Sequence, residues 1–279
     1  SVIVIATVPL AGLMCWMILE EGQVSRGQFE VGLERSAASF ALTVEREVAS
    51  SVDALTILSY SSFVRGNDVS GFFTALVELP RRLPSWNAAY LLDPEGKVMF
   101  STGAPHTPGA EPGQSSAAGS SVAATLVADP QGRAAFEEVS RTLKPAVSNL
   151  VPGGVGGSAT IGVLVPVIVN ERLRYVLGAT IDSAHWRKLL VSASLPADTR
   201  VLLVDGSGRV IASNAHLGRP DAQAGRSAAQ PVQISAAARK AMTSAAPGVE
   251  RGPVFGDAVS YTSWKHVAGT QWTVGMDVP

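Results

Sequence analysis

One motif written twice does most to restrict how this chain can fold. Residues Leu91 to Thr102 read LLDPEGKVMFST, in which Asp93-Pro94-Glu95-Gly96 sets a tight turn between two apolar runs, the pattern of a β-hairpin. Leu203 to Asn214 read LVDGSGRVIASN, with Asp, Gly and a basic residue in the same relative places. The match implies one structural unit used twice, although two hairpins of separate origin would look alike over so short a stretch.

The surroundings of each hairpin repeat as well. A helix around Arg133–Leu143 follows the first, then strands at Ala146–Val151, Thr160–Val169 and Arg174–Ile181, the last two joined by a turn centred on Asn170-Glu171. Ser183–Val191 reads as a helix capped by Asp182 or Ser183. The order then recurs: strands at Arg200–Val204 and Arg209–Ser213, a helix near Ile234–Met242, and strands near Val249–Phe255, Ala258–Trp264 and Trp272–Val278. YVLGATID, from Tyr175 to Asp182, is echoed by WTVGMDVP, from Trp272 to Pro279. Between hairpin and helix in the first unit, Gly103 to Ser121 is built almost wholly of Gly, Ala, Pro, Ser and Thr, a long loop expected to be mobile or to serve as a lid. A short helix over Gly71–Leu79 is expected before the first hairpin, after a break at Gly66-Asn67-Asp68.

Ahead of the doubled part lies a different kind of segment. Val2 to Leu19 carries no charge, and at about 1.5 Å per residue it is just long enough to span a hydrocarbon core. The alternatives are a signal-peptide core or a buried soluble helix. No small-residue cleavage pattern follows, which favours an uncleaved anchor. With no initiator Met and no basic segment upstream, the chain is expected to be a fragment. From Val24 to Ser61, Phe29, Leu33, Ala37, Phe40, Val44, Val48, Leu55 and Leu58 recur at helical spacing, predicting a long amphipathic helix whose stripe packs on its own domain and pairs with a twin.

Catalytic groupings are lacking. The net charge of -1 offers no field for nucleic acid. Cys15, the sole cysteine, lies in the apolar run, and no nucleophile has a visible partner. His106, His185, His216 and His266 are scattered, with no second ligand at metal-binding spacing. The Gly153–Gly157 run lacks the Lys-Ser/Thr ending of a phosphate loop and reads as a hairpin turn. Asp93 and Asp205 are each accounted for by their turns. No enzyme, cofactor or metal is expected.

The order of these pieces resembles the double-Cache sensor ectodomains of bacterial membrane receptors, most of all those of histidine kinases: an anchor, a long helix, Pro84-Ser85-Trp86 before a strand, LLDPEGKV, RYVLGATID, VLLVDGSGRVIASN and TQWTVGMDVP. The resemblance implies an α+β fold, a long helix carrying two tandem PAS-like antiparallel sheets and preceded by a transmembrane helix. The implied division is an anchor over 1–20, a stalk helix over 21–63, a membrane-distal domain over 64–184 and a membrane-proximal domain over 185–279. It further implies an inner-membrane protein with its sensor region in the periplasm, a second membrane helix beyond Pro279 and a cytoplasmic output domain. That output is expected to be a histidine kinase, with a diguanylate cyclase or chemoreceptor as the other possibilities.

The distal domain is expected to bind a small molecule, an organic acid or another small solute, and the long helix to form a parallel homodimer. A membrane-anchored module that binds protein instead of a ligand is the alternative. The ligand-binding candidates are Arg82, Trp86, Tyr90, Ser101, Tyr175 and Thr180, none of them catalytic. The amino-acid-binding branch of the family carries Arg-x-Trp-Tyr before its first sheet and an aspartate in the last distal strand. Here the Arg and Trp of Arg82 to Asn87 are displaced from that pattern, and Thr180 stands where the aspartate would. Amino-acid binding is therefore not expected. Tyr175 and Thr180 differ by an odd number and should face opposite ways unless a bulge intervenes.

Overall fold

The computed structural model describes residues 2–61, 72, 83–102, 122–153, 159–192, 195, 199–214, 234, 236–244, 248–252 and 260–278, with side chains described from residue 30 onward. The expected short helix over 71–79 is represented by Phe72 alone, and the break at 66–68 and the loop over 103–121 lie outside the described residues.

A single helix, α1 (Val2–Ser59), joins the apolar run to the amphipathic stripe without interruption. At about 1.5 Å per residue it is about 87 Å long. Among the described residues no helix is long and apolar enough to cross a membrane; the expected anchor over 1–20 falls on side chains outside that set. The stripe itself is realised: Leu33, Ala37, Val44, Val48 and Leu55 are buried, with Phe40 and Leu58 packed beside them. It is spent on the molecule's own sheets, which corrects the expectation that it also forms a seam with a second copy. Val31, Leu42 and Ile57 point outward instead.

Two five-stranded antiparallel sheets follow, and their topologies are identical. The first comprises β1 (Trp86–Leu92), β2 (Val98–Ser101), β3 (Ala146–Val147), β4 (Thr160–Val169) and β5 (Arg172–Asp182), in the order β2-β1-β5-β4-β3. The second comprises β6 (Arg200–Val204), β7 (Val210–Ser213), β8 (Gly248–Gly252), β9 (Ser260–His266) and β10 (Thr273–Val278), in the order β7-β6-β10-β9-β8. Even the irregularities repeat, since each hairpin slips register one residue before its turn, at Leu91/Leu92 and at Leu203/Val204. In each turn the Asp Oδ1 accepts from two backbone amides, Glu95 and Lys97 for Asp93, Ser207 and Arg209 for Asp205. Gly96 and Gly208 take φ of 86° and 79°, which side chains resist. Asn170 and Glu171 both adopt positive φ, the geometry of a two-residue hairpin that continues the strand twist.

Helices α2 (Val122–Ala128) and α3 (Pro130–Thr142) cover one face of the first sheet. Asp129 caps α3, accepting from Gln131 N at 2.8 Å with Pro130 at the first position. Asp182 caps α4 (Ser183–Val191) in the same way, accepting from Ala184 N at 2.8 Å, and α4 leads into the second sheet, whose outer face meets α5 (Ala236–Ser244). One continuous apolar core runs along α1 beneath both sheets. Trp186 of α4 meets Trp272 edge to face at 5.5 Å within it, and His185 contacts Glu47 of α1 at 3.1 Å.

Candidate functional site

Alternation along each strand divides the first sheet into two faces. Ala89 and Leu91 on β1, Leu177, Ala179 and Ile181 on β5, and Ile161, Val163 and Val165 on β4 join the core shared with α1. Tyr90, Leu92, Leu164 and Val176 join a second cluster under α2 and α3, with Leu126, Phe136 and Val139. This second face is the candidate site, because it is where polar side chains are buried away from the stalk helix.

Tyr90 is fully buried there. Its ring lies against Gly178 of β5, where an added Cβ would overlap the ring carbons, and its hydroxyl reaches toward Gly162 of β4. Leu126 of α2 presses on Gly162 from above. Glycine at both positions is therefore required by close approach, and it lets the Tyr90 ring lie flat on the sheet. Burial pushes the phenol well above its ordinary range.

The register places other hydroxyls on the same face. Ser101 pairs directly with Tyr90 across the hairpin, Thr180 pairs with Ala88 and Gly162, and Thr160 precedes Gly162 by two residues on β4. Tyr90 Oη, Ser101 Oγ and Thr160 Oγ1 are all buried and have no hydrogen-bond partner among the described residues. Thr180 Oγ1 makes only a long contact, 3.5 Å, to the Ala88 carbonyl. By contrast Ser148, at the sheet edge, accepts from Gly162 N at 2.8 Å. Each buried hydroxyl left without a partner costs about 1–3 kcal/mol, so three on one face form a set of donors that bound solute could satisfy.

Three of the six sequence candidates thus share the face: Tyr90, Ser101 and Thr180. Two do not. Between Trp86 and Ala88 the ladder to β5 holds one extra residue, Asn87, and that bulge turns Trp86 to the α1 side, although its parity with Tyr90 suggested otherwise. There its indole Nε1 donates to Ser51 Oγ of α1 at 3.1 Å, a structural tie. No such slip separates Tyr175 from Thr180, so alternation holds and Tyr175 belongs to the α1-side core. Arg82 lies outside the described residues. Thr160 is the residue that sequence reasoning missed; a hydroxyl opening an otherwise apolar strand was the available signal.

The residue paired with Thr160 on β5 is a carboxylate already holding other groups. Asp182 caps α4 and accepts from Asn87 Nδ2 at 3.2 Å. In the second sheet, the residue equivalent to Thr180 is Asp277, fully buried, accepting from Thr262 Oγ1 at 3.0 Å and lying 3.9 Å from Arg200 Nη1. Among the described residues no group of three His, Cys, Asp or Glu could hold a metal ion.

No family model and no curated protein matches this sequence. Solved structures do. The ligand-binding domain of the Pseudomonas aeruginosa amino-acid chemoreceptor PctC, in complex with GABA, superposes with a TM-score of 0.58 at 14% identity, covering 90% of this chain and 100% of that one. The extracellular domain assigned to a histidine kinase gives 0.62 at 16% identity, covering 91% and 96%. The ligand-binding domain of the Pseudomonas fluorescens chemoreceptor CtaA, in complex with L-isoleucine, gives 0.59 at 13% identity, covering 91% and 93%. The chain has the fold of these sensor ectodomains, the two-sheet arrangement that its resemblance to double-Cache domains implied.

Proposed function

We propose that this chain is the sensing part of a transmembrane signalling receptor and that a small solute binds on the face of the first sheet under α2 and α3. The observation that carries this reading is the gathering of the Tyr90, Ser101 and Thr160 hydroxyls, all buried and without partners among the described residues, on that one face. The fold likeness to chemoreceptor and histidine-kinase ectodomains agrees with it. In this reading residues 64–184 are the membrane-distal sensor, 185–279 the proximal unit, and the uncharged start of α1 an inner-membrane anchor that leaves both sheets in the periplasm. The chain carries no reaction of its own.

The chemistry of the face narrows the ligand. Hydroxyls donate to carboxylate or hydroxyl oxygens, and among the described residues the neutral Thr180 stands on this face while Asp182 is held by its cap to α4 and by Asn87 Nδ2. The ligand class this favours is an organic acid or an uncharged polar solute, in place of the amino acids named for the chemoreceptor domains. The output is a histidine kinase, with a chemoreceptor as the other arrangement compatible with the fold. Bound solute biases two states that it binds unequally, and α1 carries the difference toward the membrane. A homodimer along α1 uses its outward side, where Val31, Leu42 and Ile57 are exposed.

Thermal-shift screening of organic acids, polyols and amino acids against the purified chain tests this. An acid or polyol should raise the melting temperature, and the Ser101→Ala/Thr160→Val double variant should lose most of that rise. Stabilisation by no solute, or a rise unchanged in the double variant, would overturn the assignment.

A further inference from the structure

The two hairpins differ where the repeat would have them agree. Asp93 is partly exposed and its hydrogen bonds among the described residues all close its own turn, whereas Asp205 is 1% exposed. Asp205 Oδ1 serves its turn, but Oδ2 accepts from Leu150 N of the first unit at 3.0 Å. The next position strengthens the contrast. The first hairpin has Pro94, which carries no N–H, while the second has Gly206, whose amide donates to Asn149 Oδ1 at 3.1 Å. A Cβ on Gly206 would meet Gln271 of its own unit at 2.7 Å and Asn149 Oδ1 of the first at 3.3 Å, so the turn is closely packed on both sides.

On the other side, the segment receiving this turn is bound into the candidate site. Ser148 N donates to the Gly162 carbonyl, and Val151 and Thr160 exchange backbone bonds at 2.8 Å, so residues 148–151 are stitched to the strand that presents Thr160 and Gly162. Asn149 Nδ2 also donates to Gln131 Oε1 at 2.8 Å, in the first turn of α3, the helix whose Phe136 and Val139 belong to the same buried cluster as Tyr90. Asn149 thereby uses both ends of its amide, one toward the cover of the site and one toward the second sheet.

We propose that Asn149, with Leu150 N and the Asp205-Gly206 turn, is a positioning clasp that transmits the state of the site to the second sheet. This rests on the reading of that face as the ligand site and assigns the route by which its state leaves the first unit. The turn is continuous with β6, which pairs with β10, so a displacement of β4 or α3 is delivered by hydrogen bonds to the central strands of the second sheet. The shared apolar core holds the two units together but is non-directional; the clasp fixes which atoms move with which.

The test needs no ligand, so its failure is distinguishable from failure of the ligand assignment. The full chain in detergent is perturbed at the cover by Leu126→Ala, which removes the side chain lying on Gly162, and hydrogen exchange is followed in peptides spanning 160–169 and 200–214. With the clasp intact, Leu126→Ala should raise exchange in both peptides, by about tenfold in the second, the scale of one to two hydrogen bonds. In an Asn149→Ala background, exchange of 160–169 should still rise while that of 200–214 no longer responds. Asp205→Asn, which removes the Oδ2 acceptor, provides a second variant should Asn149→Ala fold poorly, and Asp93→Asn, which alters only the unclasped hairpin, should leave the response of 200–214 intact. An equal response of 200–214 with and without the clasp, or no response in either background, would overturn the proposal.

Discussion

Replacing Tyr90 with Phe should stabilise the protein while weakening its response to solute, a pair of opposite signs that few structural roles could produce. The ring is fully buried, seated on Gly178 and beside Leu126, and Phe keeps all of that packing. What it deletes is a buried hydroxyl with no partner among the described residues, whose desolvation costs about 1–3 kcal/mol. Taking about 1.5 kcal/mol, and about 2–4 °C per kcal/mol for a protein of this size class, the melting temperature should rise by roughly 3–6 °C. A solute that accepts from Oη should lose one hydrogen bond, about 1 kcal/mol or about fivefold in affinity. The same hydroxyl sets an alkaline signature. Burial raises the phenol above its ordinary value of 10.0, so below that pH both states keep the proton, and above it the unfolded chain alone releases it. Stability should therefore fall as the pH rises through 10, less steeply in Tyr90→Phe. Differential scanning fluorimetry from neutral to alkaline pH, with and without solute, reads all three effects. A Tyr90→Phe protein less stable than the parent at neutral pH would show that the hydroxyl has a partner in the free protein and would refute the reasoning.

Gly178→Ala places a Cβ inside the Tyr90 ring and should cost roughly 1–3 kcal/mol in urea denaturation; Tyr90→Val in the same chain should recover part of that loss. Ser51→Ala strands the buried Trp86 N–H and should cost about 1–3 kcal/mol without altering solute affinity, since Trp86 faces α1. At dilutions where the chain is monomeric, cysteines introduced along α1 should be labelled by maleimide at Leu42 and Ile57, which are 57% and 74% exposed, and be protected at Val44 and Leu55, which are 0% exposed. Uniform labelling would contradict the packing of the stripe on the sheets.

What could be read from the sequence was whatever local chemistry dictates. Asp93 and Gly96, repeated as Asp205 and Gly208, announce a turn because Asp caps the following amides and Gly takes positive φ, and the copies carried the doubled topology with them. The α4 helix was legible from its Asp182 cap, and Tyr175 was separable from Thr180 by strand parity alone. Trp86 was misplaced because a bulge at Asn87 reverses parity and leaves no mark in composition. The long stripe showed that one side of α1 is buried, but not against what; helical periodicity is the same for a sheet as for a second helix. Asp205 looked like a turn former because it is one, and its second oxygen's bond to Leu150 depends on two segments meeting that no local pattern brings together.

The most direct measurement is a crystal structure of the chain with a solute that stabilises it. The account places electron density for that solute under α2 and α3, within hydrogen-bonding distance of Tyr90 Oη and Thr160 Oγ1. Density on the second sheet near Asp277, with the Tyr90 face unchanged, would contradict it.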